Sequence, residues 1–152
     1  MNNKEENDEE LWAEIYFLRS KAYINMNKIE SGLNDINKFF ELIDKEKSKI
    51  KENLNKGNNK DKNNNYDIEK ILFQKYDISD AHFKRGFCFF NLLDYNSALK
   101  EFEKAIQLDP NYTTVYSYIK TCKKKINKLN SENNKDKEEL EKEKNEIKEK
   151  LI

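Results

Sequence analysis

Only three glycines and one proline punctuate this chain of 152 residues. Sheets joined by hairpins rely on those residues at turns, whereas helices joined by short polar links can do without them. The scarcity therefore predicts an all-α fold, and hydrophobic spacing supplies the helices. Apolar residues recur at three and four positions over residues 11–25 and from Lys28 to about Asn53. A shorter run spans Asp67 to Tyr76, and two more span Asp80 to Leu92 and Tyr95 to Leu108. Ser79 is placed to cap the first of these two, and Asp109-Pro110-Asn111 ends the second, because proline cannot continue a helix. From Thr113 a final helix carries Val115, Ile119, Cys122, Ile126 and Leu129 as one seam.

Between these helices the chain has little to bury. Residues 1–10 are polar and acidic and are expected to be disordered. Residues 54–66 are rich in Asn and Lys, whose polar side chains favour solvent over a core, and read as a disordered loop. Residues 131–152 form a Lys/Glu-rich tail, either helical or disordered. The expected organisation is a helical domain over 11–130 that ends in a capping helix, 113–130.

The 29 basic side chains are balanced by 29 acidic ones. No sustained cationic field is available, so nucleic acid and anionic membrane are not expected partners. No run of about 18 apolar residues suggests a membrane span, and no leader is visible, which makes a cytoplasmic setting the default. Cys88 and Cys122 sit within apolar helical patterns and read as core thiols. With one histidine, His82, no phosphate-binding glycine loop and no metal-ligand spacing, neither catalysis nor a metal or other cofactor is expected.

The two arginines reveal a longer period. Tyr-Phe-Leu-Arg-Ser-Lys-Ala-Tyr surrounds Arg19 and His-Phe-Lys-Arg-Gly-Phe-Cys-Phe surrounds Arg85, an offset of 85 − 19 = 66. That equals one 34-residue period plus 32 further residues, close to the length of an insertion over 45–78. Each arginine has an acid sixteen positions on, Asp35 and Glu101, which predicts an ion pair inside each hairpin.

On these residues the chain resembles the tetratricopeptide-repeat family. Residues 79–112 place Gly86, Phe89, Tyr95, Ala98, Phe102, Ala105 and Pro110 at the family's spacing. Residues 13–46 are a degenerate copy with Tyr16, Ser20, Tyr23, Gly32, Ile36 and Phe39 in register and Asp44 where the proline belongs. The order of the two motifs and the basic closing helix is similar to the last two repeats and cap of co-chaperone and immunophilin-type domains; residues 1–12 are too short to supply a first repeat.

The resemblance implies a non-enzymatic module that binds a protein or peptide in a concave groove. In such co-chaperones a clamp of Lys, Arg and Asn holds an acidic chaperone tail. Here Lys84 stands at one clamp position, but Asp80 replaces an expected Lys and Leu18 an expected Asn, so the clamp is degraded. The groove candidates are Phe17, Leu18, Lys21 and Asn25 on the first helix, Phe83, Lys84, Phe87 and Asn91 on the matching helix, and Tyr118, Lys124 and Lys125 on the last. They suggest an apolar trough with cationic edges; packing of the aromatics against neighbouring helices is the competing expectation. An edge at Trp12, Ile15 and Tyr16, left bare by the missing repeat, could instead be covered by the N-terminus, by the helix around Leu72, or by a second copy in a dimer.

Overall fold

The computed structural model describes residues 2–56 and 64–151 and contains six helices and no strand among them. They are α1 (Asn2–Asn25), α2 (Ile29–Lys56), α3 (Asn64–Lys75), α4 (Ile78–Asn91), α5 (Tyr95–Leu108) and α6 (Thr113–Lys150). The all-α expectation holds. Helices α1 and α2 form one antiparallel hairpin, α4 and α5 a second, and α6 packs on α5.

The 66-residue offset is reproduced in the backbone. Asn27 and Leu93 both adopt positive φ, 59° and 63°, at the turn between the helices of each hairpin. The same hydrogen bonds close both turns. Lys28 N–H donates to Tyr23 O at 2.8 Å and Asp94 N–H to Phe89 O at 2.9 Å, while Asn27 N–H reaches Ile24 O and Leu93 N–H reaches Phe90 O. Asparagine tolerates the left-handed region; a leucine there is strained.

Close approach within each hairpin is achieved by glycine on alternate helices. In the first it is Gly32 of α2, where an added Cβ would lie 2.8 Å from Ile24 Cγ1 and 3.3 Å from the Ser20 carbonyl oxygen. In the second it is Gly86 of α4, where a Cβ would meet the Phe102 ring at 2.7 Å. The positions 66 residues away, Ser20 and Ala98, are also small and fully buried.

Several boundaries differ from expectation. Residues 2–10, expected to be disordered, belong to α1, which begins at Asn2. Glu9 bonds Lys45 and, at 2.6 Å, Lys49, so α2 supplies counter-charges that keep the helix in place; hydrogen bonding to Lys45 chiefly, then Lys49, lowers the Glu9 carboxyl below its usual range. Within the expected loop over 54–66, residues 54–56 belong to α2 and 64–66 to α3, while 57–63 lie outside the described residues. Ser79 is not the cap of α4. Asp77 caps it by accepting from Asp80 N–H, and Ser79 Oγ–H instead donates to Ala105 O at 2.9 Å, a buried tie to α5. The capping helix does not stop near residue 130: α6 continues to Lys150, helped by Lys128–Glu132 and Lys144–Glu141 pairs within it.

Two apolar cores result. The second is built from α4, α5 and α6 around Phe83, Phe102, Ala105, Val115, Ile119 and Cys122. The first joins Ile36, Phe39, Phe40 and Ile43 of α2 to Ile68 and Leu72 of α3 and to Tyr76 just beyond it. The insertion therefore packs inside the fold, with the prolonged α2 as its support. Lys75 ties it to Glu46 at 2.7 Å and Glu10 at 3.1 Å, and Tyr76 Oη–H donates to Glu46 at 2.8 Å.

Candidate functional site

Both predicted ion pairs form. Arg19 Nε and Nη2 reach the two Asp35 oxygens at 2.6 and 2.8 Å, and Arg85 does the same to Glu101 at 3.0 and 3.1 Å. These are forked contacts across a hairpin, so the arginines act as scaffold. The second pair carries more than the sequence suggested. His82 Nδ1 lies 2.7 Å from Glu101 Oε2, the His82 ring sits 4.6 Å from that of Phe40, and the Arg85 guanidinium lies 3.9 Å over Phe40. Burial alone would raise the Glu101 carboxyl; hydrogen bonds from His82 and Arg85 outweigh it and hold the group below the usual carboxylate range.

The groove candidates lie on α1, α4 and α6, and a charged bridge joins the first two of these helices. Lys21 Nζ lies 3.1 Å from Asp80 Oδ2, Tyr112 Oη–H donates to Asp80 Oδ1 at 3.0 Å, and Lys21 also sits 4.4 Å over the Phe17 ring. Lys21 and Asp80 thus satisfy each other across the two hairpins. Desolvation first and the Asp80 charge second push the Tyr112 phenol upward, so it stays a donor.

Other candidates separate into core and surface. Phe83 is buried, with ring centroids of Phe102, Tyr112 and Tyr118 5.1 to 5.8 Å away. It belongs to the second core, because α6 folds over it, and not to an open trough. Phe17 is half-buried and stacks on Phe39 at 5.1 Å. Phe87 and Phe90 set their rings edge-on to Tyr118, 6.0 and 5.5 Å away, which leaves this trio at the junction of α4 and α6. Asn91 uses its amide to cap its own helix at Phe87 O, and Asn25 is exposed at the end of α1.

Of the remaining candidates, Leu18 is 63% exposed, Lys124 and Lys125 are exposed and Lys84 is half-buried. These three lysines make no ion pair among the described residues, and Lys84 lies over the Phe83 ring at 5.4 Å. Both cysteines are buried, and burial pushes the Cys88 thiol up to about 11 and raises Cys122 as well. No described helix is long and apolar enough to cross a membrane, and no described cluster of three His, Cys, Asp or Glu side chains could hold a metal ion.

Paired antiparallel helices repeated in register, small residues at each close approach and a capping helix define a helical-repeat protein of the class used for protein–protein contact. Family models described as tetratricopeptide repeat match residues 13–46 and 79–112, which are the α1–α2 and α4–α5 hairpins. The chain is a tetratricopeptide-repeat protein. No curated protein matches it.

Proposed function

We propose that this protein is a non-enzymatic, cytoplasmic adaptor that binds a peptide segment of a partner across the face formed by α1, α4 and α6. The observation that carries the reading is that Leu18 stays exposed on α1 while Lys84 on α4 and Lys124 and Lys125 on α6 have no acidic partner among the described residues. A peptide with an aliphatic anchor and a nearby carboxylate complements that surface by apolar burial and charge. The half-buried rings of Phe87 and Tyr118 offer a second apolar contact.

A chaperone-tail clamp is the weaker form of this proposal. Asp80 supplies a negative charge where the co-chaperones that the sequence resembles carry a cation, and its partner Lys21 is already engaged. Titration of an acidic chaperone-tail peptide against peptides with aliphatic anchors, with Lys84→Glu and Leu18→Ser, tests both forms. Preference for the aliphatic peptides, lost in either variant, supports the proposed groove. Tight tail binding abolished by Lys84→Glu restores the clamp, and binding indifferent to both substitutions refutes this face.

Self-association is a second reading favoured by one surface. Leu11 and Trp12 are half exposed at the outer edge of the first hairpin, beside a hollow of about 380 Å³ lined by Trp12, Tyr16, Lys38 and Leu42. Light scattering across a concentration series decides it: a dimer dissociated by Trp12→Glu supports an edge interface, and a monomer throughout removes it.

A further inference from the structure

A second recess lies on the opposite side of α4. At about 100° per residue, His82 and Arg85 point roughly 160° away from Asp80, Lys84 and Phe87, so this recess is separate from the proposed peptide face. It has a volume of about 510 Å³ and opens where α2, α3, α4 and α5 meet. The inserted helix creates it: Leu72 and Phe73 of α3 stand against Phe40, Ile43 and Ile78. Leu72, Phe40, Ile43 and Ile78 are buried, whereas the Phe73 ring remains 41% exposed.

The polar groups at the rim leave a definite imbalance. On the α4–α5 wall, Glu101 accepts both arms of the Arg85 fork and faces His82, so its carboxylate is satisfied. Lys104 stands 3.8 Å from the same carboxylate, beyond hydrogen-bond reach, with its side chain 54% exposed. Lys104 therefore pairs with Glu101 only loosely, and this wall holds two cations, Arg85 and Lys104, to one carboxylate. On the facing wall Lys47 and Glu69 neutralise each other at 3.0 Å, while the Asp44 carboxylate has no ion-pair partner among the described residues. One wall has a spare positive charge and the other a spare negative one.

We infer that this recess binds a monocarboxylate with an apolar body. The carboxylate bonds to Lys104, with the Gln107 amide beside it, and the apolar part lies on the floor against Phe73. A phosphate dianion is a poor fit, because the Arg85 fork is already engaged and Asp44 repels a second negative charge. An apolar amine pairs with Asp44 only by facing the like charges of Lys104 and Arg85 across the recess. The recess is also of the size ordinary for small-molecule sites, roughly 300–1,000 Å³.

The experiment is a heteronuclear NMR titration of the full chain with 3-phenylpropionate and with octanoate, using phenethylamine and inorganic phosphate as comparison probes. Saturable shifts centred on Phe40, Phe73, His82 and Lys104, weakened at least tenfold by Lys104→Glu and by Phe73→Ala, are the expected result. Both residues are exposed enough that the variants should fold, which circular dichroism checks; Lys104→Gln replaces Lys104→Glu if the charge reversal unfolds the protein. Absence of saturation at millimolar carboxylate, equal or tighter binding of the amine or of phosphate, or an affinity unchanged by loss of the Lys104 charge overturns the assignment. Carboxylate shifts centred on Leu18, Lys84 and Tyr118 would overturn it too, while leaving the peptide-face proposal intact.

Discussion

Replacing Gly86 by alanine should destabilise the protein, against the direction that helix propensity alone would give. Alanine in a helix interior is favoured over glycine by about 1 kcal/mol. At Gly86, however, the new Cβ would stand 2.7 and 2.8 Å from two Phe102 ring carbons and 3.2 Å from Glu101 Cβ. Neither neighbour is free to retreat. Phe102 is fully buried between Phe83 and Tyr118, and Glu101 is fixed by Arg85 and His82. Overpacking of a filled core costs about 1–3 kcal/mol, and so short a contact belongs at the upper end. The net loss should be about 1–2 kcal/mol, lowering Tm by about 2–4 °C per kcal/mol for a chain of this length. Urea unfolding followed by near-UV circular dichroism reads the aromatic cluster around Tyr118 without the signal of the outer half of α6. The midpoint should fall at unchanged m. Adding Phe102→Leu should recover about 1 kcal/mol relative to the sum of the single substitutions. A Gly86→Ala protein as stable as the parent, or more so, would refute the steric account.

Leu93→Gly should act in the opposite sense, stabilising by about 1 kcal/mol, because Leu93 is 69% exposed and left-handed backbone costs a leucine about 1–2 kcal/mol; thermal denaturation checks the sign. Leu72→Ala should cost about 2–5 kcal/mol, the range of a core truncation, although the residue lies in the insertion; a surface-like loss below about 0.5 kcal/mol in chemical denaturation would contradict the packing of α3. Glu101 has a depressed carboxyl, so its contribution is complete above the unfolded value near 4.5 and is lost as pH falls through the lower folded value. Stability measured from pH 7 downward should therefore show an acid limb that Glu101→Gln flattens.

The hairpins were legible because two rare arginines carried the register, and the offset they define returns in Asn27 and Leu93 and in the bonds that close both turns. The insertion was legible in length but not in role. Ile68, Leu72 and Tyr76 form a stripe too short to say what it covers, and only the prolonged α2 gives it a surface. The candidate site was read in part. Leu18, Lys84, Lys124 and Lys125 were reachable from helical spacing, whereas the Lys21–Asp80–Tyr112 bridge joins three separate elements with no local pattern to announce it. Phe83 shows the same limit, since helical spacing places a ring on a face but not the helix that will close over it.

Helix α6 has one hydrogen-bond ladder but two environments. Its last fully buried residue is Cys122, and from Asn127 to Lys150 about 36 Å of helix stands clear of both cores, at 1.5 Å per residue. The inner turns can open only when the α5 contact opens, whereas the outer ones are held by local propensity and a few ion pairs. Amide exchange should therefore slow by orders of magnitude along a single unbroken helix, from the tip inward, with the step near Ile126. Warming would melt the outer half gradually before the body unfolds cooperatively, so the reach of this arm would shorten with temperature while the repeats beneath it stay intact.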